Sequence, residues 1–243
     1  MNEQTAVIIP VRYASSRLKG KPLIEVGGKP IIQWVFEKAV QSVHTDRVII
    51  ATDNTKIYET ALMFGAEAEM TLDTHNCGSD RIAEVAQRHP EIKYIVNLQG
   101  DEPMITPESI DKVIELVKND ENVDVSTLVT EIKDVKEIDN PNLVKCVFDM
   151  SNYAMYFSRS KIPYERNAGH SKFYGHIGIY GYKREALFMM TKSSQTQLEL
   201  TESLEQLRIL QLGMKIKIAV IDNRPIGIDT IEDLNNFKSL VLN

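Results

Sequence analysis

The sequence has few cysteines, no long apolar run and no excess of positive charge, and each absence narrows the choice of function. Its two cysteines, Cys77 and Cys146, stand in neither a C-x-x-C nor a Cys/His metal spacing, so no zinc or redox motif is indicated. The apolar runs are far shorter than a membrane span, and the polar start has no signal-peptide pattern. A formal net charge of −6 over 243 residues argues against nucleic acid or an anionic membrane as the main partner. We therefore expect a cytoplasmic protein.

Positive charge is nevertheless concentrated in one stretch near the start of the chain. An apolar run at residues 6–11 predicts a buried strand, and a basic loop follows it. The loop carries cations and hydroxyls with no acid among them: Arg12, Ser15, Ser16, Arg17, Lys19 and Lys21. Such groups can surround the clustered charge of a triphosphate, and ligands of open α/β sheets bind beyond the carboxyl ends of strands. The loop therefore predicts phosphate binding, with a solvated surface loop as the alternative. A Walker-type loop is rejected because Ser15 and Pro22 replace its glycine and its Ser/Thr.

Apolar runs alternate with helical patterns along the first half of the chain. Predicted strands lie at residues 6–11, 48–51, 66–70 and 94–98, with an amphipathic helical pattern after each. This alternation predicts an α/β fold with a doubly wound, mostly parallel sheet. The pattern then becomes β-rich without a Gly/Ser/Pro-rich linker. We therefore predict a single domain, residues 1–243, with an inserted mixed β-rich region at about 132–183.

Three acidic residues occupy positions that suit ligand binding. Asp101 comes soon after the predicted strand at 94–98, and Gly100 before it permits close backbone approach. Asp229 precedes Thr230 and, from the pattern alone, could be a turn acid beside a helix cap. Asp53 ends another predicted strand, where a binding role and a helix-start role are equally good interpretations.

Two further patterns lie in the second half of the chain. His176 and Tyr180 are four residues apart, so on a strand their side chains share a face, although a core histidine is the alternative. Glu205 and Gln206 lie in a helical pattern around residues 202–211, which could equally be an ordinary amphipathic helix.

Several sequence blocks resemble those of the 3-deoxy-manno-octulosonate cytidylyltransferase family, and the similarity extends to about Leu234. The matching blocks are R-x-x-S-x-R-L-x-G-K-P-L at 12–23, an S-G-T-D-R-like block at 77–81, Q-G-D-E-P at 99–103, Y-F-S-R-x-x-I-P at 156–163, H-I-G-I-Y at 176–180, L-E-Q-L-R at 204–208 and G-[IV]-D-T-x-E-D-L at 227–234. Lys19 departs from the family's usual proline, and Cys77 replaces a common serine, which removes a strong hydrogen-bond donor.

The resemblance implies an enzyme that transfers CMP from CTP to the anomeric hydroxyl of 3-deoxy-D-manno-octulosonate (Kdo) for lipopolysaccharide synthesis, releasing pyrophosphate. The implied fold is a Rossmann variant like that of nucleotide-diphospho-sugar transferases, and the implied assembly is a homodimer with residues 152–162 near the interface. Glu102 is the form typical of Kdo enzymes, whereas relatives that use the 8-amino sugar often carry glutamine there. The alternatives are an 8-amino-Kdo or nine-carbon ulosonic acid as substrate, or a non-catalytic nucleotide-sugar sensor.

The resemblance also implies a role for each matched residue. Nucleotide binding falls to Arg12, Ser15, Arg17, Lys21, Thr52, Asp53, Ser79, Arg81 and Gln99. Sugar binding falls to Arg159, His176, Tyr180, Glu205 and Gln206. Asp101 and Asp229 are the implied ligands of Mg²⁺, which prefers hard oxygen ligands. Catalysis is assigned to Lys21, Arg12, Asp101 and Asp229.

Overall fold

A computed structural model describes residues 3–13, 18–167 and 169–242, and the chain divides into two units. The first unit comprises Met1–Asp111 and Pro225–Asn243, and the second comprises Lys112–Arg224. The predicted insertion at about 132–183 falls within the second unit, and the single-domain organisation stays a prediction. Within the described ranges, no helix is both long enough and apolar enough to cross a membrane.

The helices and strands follow one another in an alternating order through the first unit and become strand-rich in the second. In chain order they are β1 (Gln4–Val11), a 3₁₀ turn (Lys21–Leu23), β2 (Glu25–Val26), β3 (Lys29–Pro30), α1 (Ile31–Val40), β4 (Arg47–Thr52), α2 (Thr55–Met63), β5 (Glu67–Met70), α3 (Gly78–Arg88), β6 (Ile92–Asn97), α4 (Pro107–Lys118), β7 (Val125–Glu131), α5 (Val135–Ile138), β8 (Lys145–Phe148), β9 (Ala154–Ser158), β10 (Tyr174–Lys183), α6 (Arg184–Lys192), α7 (Gln197–Glu202), α8 (Gln206–Gln211), β11 (Ile216–Val220) and α9 (Ile231–Leu242).

The first unit is built on a parallel sheet with the strand order β6-β1-β4-β5. Strand β1 is central, and every residue from Thr5 to Val11 is buried, as expected when helices cover both faces of a parallel sheet. The alternation of strands and helices therefore confirms the predicted α/β class for this unit. All four strands run the same way, so the loops after β1, β4 and β6 leave the sheet at the same edge.

The start and end of α2 agree with the sequence signals for them. Asn54 caps the helix, because its side-chain oxygen accepts hydrogen bonds from the N–H groups of Lys56 and Ile57. Gly65 follows the helix at a φ of 82°, a left-handed conformation that favours glycine. These local signals fix where the chain leaves β4 and where it returns to β5.

The second unit contains a mixed sheet in which β7 lies between β11 and β10. Strand β11 runs parallel to β7, β10 runs antiparallel to it, and β8 and β9 form a further antiparallel pair beside β10. The ladder between β10 and β7 is irregular between Ile177 and Tyr180. The mixed, β-rich character predicted for this part of the chain is confirmed.

One helix prediction in the second unit is wrong. The pattern around residues 202–211 predicted one helix, but α7 ends at Glu202 and α8 begins at Gln206. The break occurs because Ser203 adopts a left-handed backbone with φ 53°, which no α-helix continues. The turn buries Leu204 and places Glu205 at the start of α8.

Candidate active site

The basic loop after β1 is described only at its two ends. Ser15 and Arg17 lie outside the described residues, so their predicted contacts with phosphates remain untested. Arg12, at the first end, donates a hydrogen bond from Nη2 to the backbone oxygen of His75. Gly20, at the other end, has a φ of 70° and lies against the Tyr13 ring, which favours glycine there. Gly20 leads directly into the turn that carries Lys21.

Lys21 brings together the two acids that were predicted to bind metal. Its Nζ donates to Asp101 Oδ2 at 2.6 Å, to the backbone oxygen of Ile228 at 2.7 Å and to Asp229 Oδ1 at 3.4 Å. The lysine is only 8% exposed, whereas the Asp229 side chain is 52% exposed. Two carboxylates from distant parts of the chain therefore converge on one buried ammonium group.

Close backbone packing fixes the position of Asp101. A Cβ atom on Gly100 would lie 2.9 Å from Val11 Cγ2, so only glycine fits beside β1. The N–H of Ile228 donates to the backbone oxygen of Asp101 at 2.8 Å, which joins the two segments that carry the acids. The sequence prediction that Gly100 permits close backbone approach before Asp101 is therefore confirmed.

Asp229 is oriented by a residue that the sequence interpretation missed. Asp233 Oδ2 accepts hydrogen bonds from the N–H of Asp229 at 3.0 Å and from the N–H of Thr230 at 2.8 Å. Thr230 Oγ1 in turn accepts from the N–H of Asp233 at 3.2 Å, which makes a reciprocal cap at the start of α9. Burial raises the pKa of Asp233, but the bonds from Thr230 and Asp229 outweigh it and the pKa is lowered. The spacing of threonine and an acid three residues later was the signal that could have identified Asp233.

The donor set of Asp101 and Asp229 fits a magnesium ion. Both groups offer carboxylate oxygens, which are hard ligands, and both already lie within hydrogen-bonding distance of the same cation. Two protein carboxylates leave the remaining ligand positions to waters and substrate phosphates, as is usual for magnesium. The residues present therefore fit the metal that the family resemblance implies.

A second cluster of predicted nucleotide-binding residues surrounds Arg81 at the start of α3. Arg81 is fully buried, and its Nη2 donates to Asp53 Oδ2 at 2.6 Å. Its Nη1 donates to Thr71 Oγ1 and, at 3.3 Å, to the backbone oxygen of Leu72. Arg81 is thus held by Asp53 from the end of β4, which gives Asp53 a definite partner. The nucleotide-binding role that the resemblance implies for Arg81 stays a prediction.

The other members of this cluster lie at the ends of β4 and β6. Thr52 is buried and its Oγ1 accepts from the N–H of Asn54 at 3.2 Å. Ser79 is buried in the first turn of α3. Gln99 follows β6, and its Nε2 donates to Asn97 Oδ1 at 3.0 Å. Buried polar side chains at strand ends, such as Asn97, carried no separate signal in the sequence.

His176 and Tyr180, in the second unit, come together as predicted from their spacing. Their ring centroids are 5.3 Å apart, and the His176 ring also packs edge-on against Phe157 at 5.1 Å. His176 Nε2 lies 3.0 Å from Thr127 Oγ1. Burial, with a smaller contribution from the charge of Arg224, lowers the pKa of His176 to about 3, so the imidazole is neutral at pH 7. Burial likewise raises the pKa of Tyr180.

The remaining predicted sugar-binding residues lie near the junction of α7 and α8. Arg159 follows β9, and its guanidinium donates to the backbone oxygens of Glu202 at 2.7 Å, Pro141 at 3.1 Å and Ser203 at 3.3 Å. Gln206 is buried in the first turn of α8, and Glu205 precedes it. The structure thus brings Arg159 close to the turn that carries Glu205 and Gln206.

Comparison with known proteins gives the family of this chain. Residues 6–216 match the family model described as cytidylyltransferase. A 3-deoxy-manno-octulosonate cytidylyltransferase from Fusobacterium nucleatum is 46% identical and aligns over 93% of this chain and 92% of its own. The protein of the same name from Haemophilus influenzae (strain 86-028NP) is 43% identical over 97% of both chains.

Solved structures agree with the sequence relatives. A structure described as CMP:2-keto-3-deoxy-manno-octonic acid synthetase complexed with CTP is 38% identical, with a TM-score of 0.95 over 98% of each chain. A 4-diphosphocytidyl-2C-methyl-D-erythritolsynthase from Anaerococcus prevotii, 16% identical with a TM-score of 0.66 over 99% of this chain and 97% of its own, shows the fold alone. The predicted fold class and membership are confirmed: this cytidylyltransferase chain belongs to the 3-deoxy-manno-octulosonate cytidylyltransferase family.

Proposed function

We propose that this chain transfers CMP from CTP to the anomeric hydroxyl of Kdo, forming CMP-Kdo and pyrophosphate. The names of the sequence relatives and of the solved structure with CTP support both substrates. They favour Kdo over an 8-amino or nine-carbon acid and a catalyst over a sensor, in agreement with Glu102. The single observation that carries the chemistry is the convergence of Asp101 and Asp229 on Lys21.

The reaction is a substitution at the α-phosphorus of CTP. The anomeric oxygen of the sugar bonds to that phosphorus, the bond to the bridging oxygen breaks, pyrophosphate leaves and the hydroxyl proton is released. Lys21 and Arg12 supply fixed positive charge for the triphosphate, so their contribution is positioning and charge stabilisation. His176 is neutral at pH 7 and is assigned to sugar hydroxyl binding.

Asp101 and Asp229 would hold Mg²⁺, whose positive charge offsets the charge on the phosphate oxygens when it is bound. Asp233 would orient Asp229 through the backbone N–H bond described above. Because Lys21 donates to both acids, the ammonium also limits repulsion between them before metal binds. We therefore propose that the reaction requires Mg²⁺.

The sugar would be bound by residues of the second unit. Arg159 would hold the sugar carboxylate, because a guanidinium can grip a carboxylate with two parallel hydrogen bonds. His176, Tyr180, Glu205 and Gln206 would contact sugar hydroxyls. A homodimer in the cytoplasm completes the proposal, and the exposed side chains of Met155, within the predicted interface at 152–162, and of Met150, just before it, support the dimer.

A direct assay tests the substrates. The protein is incubated with CTP and Mg²⁺ and with Kdo, 8-amino-Kdo or a nine-carbon sialic-type acid, and released pyrophosphate is measured. We expect release with Kdo at a kcat/KM well above that with the other two sugars. Preference for the amino sugar would overturn the choice of substrate, and tight CTP binding without any turnover would favour a sensor.

A further inference from the structure

Lys145 in β8 is a fully buried lysine that the proposed reaction does not use. Its Nζ donates to the backbone oxygens of Arg159 at 2.5 Å, Leu143 at 2.8 Å and Asn140 at 3.0 Å. These three bonds use all three N–H groups of an ammonium. A buried charge is costly unless it is fully hydrogen-bonded, and an apolar side chain would fill the same space without that cost. The ammonium therefore ties three backbone oxygens from two segments of the chain to one point of the second unit.

Three segments of the second unit are joined by hydrogen bonds at Arg159, and Lys145 donates to two of them. The segment at 140–143 and the backbone of Arg159 are held by Lys145. The segment at 202–203 accepts two hydrogen bonds from the Arg159 guanidinium, and Pro141 accepts a third.

Glu202 fixes the Arg159 backbone from the other side. One carboxylate oxygen accepts from the N–H of Arg159 at 2.9 Å, and the other accepts from Ser158 Oγ at 2.6 Å. The N–H and the backbone oxygen of Arg159 are thus bonded to Glu202 and Lys145 respectively. The backbone of this arginine is therefore held at both of its polar atoms.

The guanidinium itself is also restricted. It has five N–H groups, and the three backbone oxygens accept from three of them, one on each nitrogen. A guanidinium held in one plane can still offer its remaining N–H groups to a planar carboxylate. The orientation of that plane depends on the segments that Lys145 and Glu202 hold together.

We infer that Lys145 and Glu202 are positioning residues for the sugar substrate, acting through Arg159, whose guanidinium also bonds the turn that precedes Glu205 and Gln206. This inference rests on the proposed function, in which Arg159 binds the sugar carboxylate. Lys145 is fully buried and acts through Arg159 instead of touching the sugar. A binding group held within a fraction of an ångström binds its ligand with less ordering cost than a mobile one.

The first test is Lys145→Met, which removes the ammonium and keeps a side chain of similar length. We expect the KM for Kdo to rise at least tenfold, whereas the KM for CTP stays within twofold of wild type. Lys183→Met is the matched control, because Lys183 Nζ also donates to two backbone oxygens of the second unit, those of Asp120 and Glu121. This control should leave the KM for Kdo unchanged. A merely structural role would lower the folded fraction without a change confined to one substrate.

A double-mutant cycle separates action through Arg159 from an independent effect. Arg159→Met alone should raise the KM for Kdo at least as much as Lys145→Met. Adding Lys145→Met to Arg159→Met should then change that KM by less than twofold, because the group being positioned is already absent. Multiplicative effects of the two substitutions would overturn the inference.

Glu202→Gln provides a second route if Lys145→Met does not fold. The amide keeps one acceptor oxygen and should raise the KM for Kdo several-fold with the KM for CTP unchanged. A folded Lys145→Met or Glu202→Gln protein with a wild-type KM for Kdo would overturn the inference while leaving the proposed function intact. A wild-type protein that releases no pyrophosphate with CTP and Kdo would instead overturn the proposed function, and the inference with it.

Discussion

Replacing Lys21 with methionine should destabilise the first unit by about 3–5 kcal/mol. The substitution removes the 2.6 Å bond to Asp101 and the 2.7 Å bond to the buried Ile228 carbonyl. A hydrogen bond to a charged group contributes about 1.5–3 kcal/mol, and a buried acceptor left unsatisfied costs about 1–3 kcal/mol. The 3.4 Å contact with Asp229 adds less than about 1 kcal/mol, because that carboxylate is half exposed. Methionine keeps most of the apolar stem, so packing changes little.

Denaturant unfolding followed by tryptophan fluorescence measures this loss. Trp34 is the single tryptophan, and its Nε1 donates to the Val26 carbonyl while its ring packs on Phe237 at 5.8 Å. Val26 and Phe237 belong to the same buried cluster as Ile228, so the fluorescence reports on the part of the first unit that Lys21 contacts. The midpoint should fall while the slope m stays unchanged.

The matched control is Arg88→Met in the same unit. Arg88 also donates to carboxylates, those of Glu69 at 2.8 Å and Glu84, and to one backbone oxygen, that of Met70 at 2.9 Å, but its side chain is 42% exposed. We expect this variant to lose less than about 1 kcal/mol, because exposed ion pairs contribute little. If Lys21→Met were no less stable than Arg88→Met, the reasoning about the buried ammonium would be refuted.

Two further predictions concern buried charges in the second unit. Glu199→Gln should cost about 3–5 kcal/mol at pH 7, because it leaves the buried Arg208 without its carboxylate partner. Burial raises the pKa of Glu199, but the bonds from Arg208 outweigh this effect and the pKa is lowered. The stability that this pair contributes is therefore present above pH 4.5 and is lost as the pH falls through the pKa of the folded state. Urea unfolding midpoints measured against pH should show the wild type and the variant converging in acid. The pKa of His176 is about 3 in the folded protein, against an ordinary value of 6.5. The wild type should therefore lose stability as the pH falls from 6.5 towards 3, by up to about 1.4 kcal/mol per pH unit. The variant His176→Gln should lose less stability over the same pH range. Equal slopes for wild type and His176→Gln would contradict a neutral folded imidazole.

Much of the first unit could be predicted because its signals are local. Each signal lies within a few residues of the chain: the apolar runs of β1, β4, β5 and β6, the Asn54 cap and the glycine after α2. Gly100 before Asp101 belongs to the same class, since the requirement for glycine arises from one neighbouring strand. Local patterns are therefore enough to place Asp101 at a strand end without knowledge of any tertiary contact.

The contacts that assemble the site could not be predicted from local patterns. Lys21 and Asp229 are separated by 208 positions, and Arg81 and Asp53 by 28, so only the folded chain shows that they pair. The break at Ser203 was missed because a left-handed serine has no strong local signal. Lys145 lies in an otherwise apolar run at residues 143–148, and its three carbonyl partners come from backbone that the sequence pattern does not reveal.

Loss of either converging acid should abolish most turnover without unfolding the protein. Asp101→Asn and Asp229→Asn keep the size of the side chain but remove the charge that Mg²⁺ requires, so each should lower the rate by about 10²-fold or more. Each variant should also show a weaker dependence of its residual rate on Mg²⁺ concentration. A variant that turns over CTP at a near wild-type rate with unchanged Mg²⁺ dependence would show that its carboxylate is not a metal ligand.

Whether this chain joins CMP to Kdo is decided by identifying the product of the reaction. Wild-type protein is incubated with CTP, Mg²⁺ and Kdo labelled with ¹³C at the anomeric carbon, and the mixture is followed by ³¹P NMR and mass spectrometry. We expect one CMP-Kdo ester per pyrophosphate released, with the phosphorus coupled to the labelled carbon. Pyrophosphate released together with free CMP and unchanged Kdo, or no pyrophosphate at all, would contradict it.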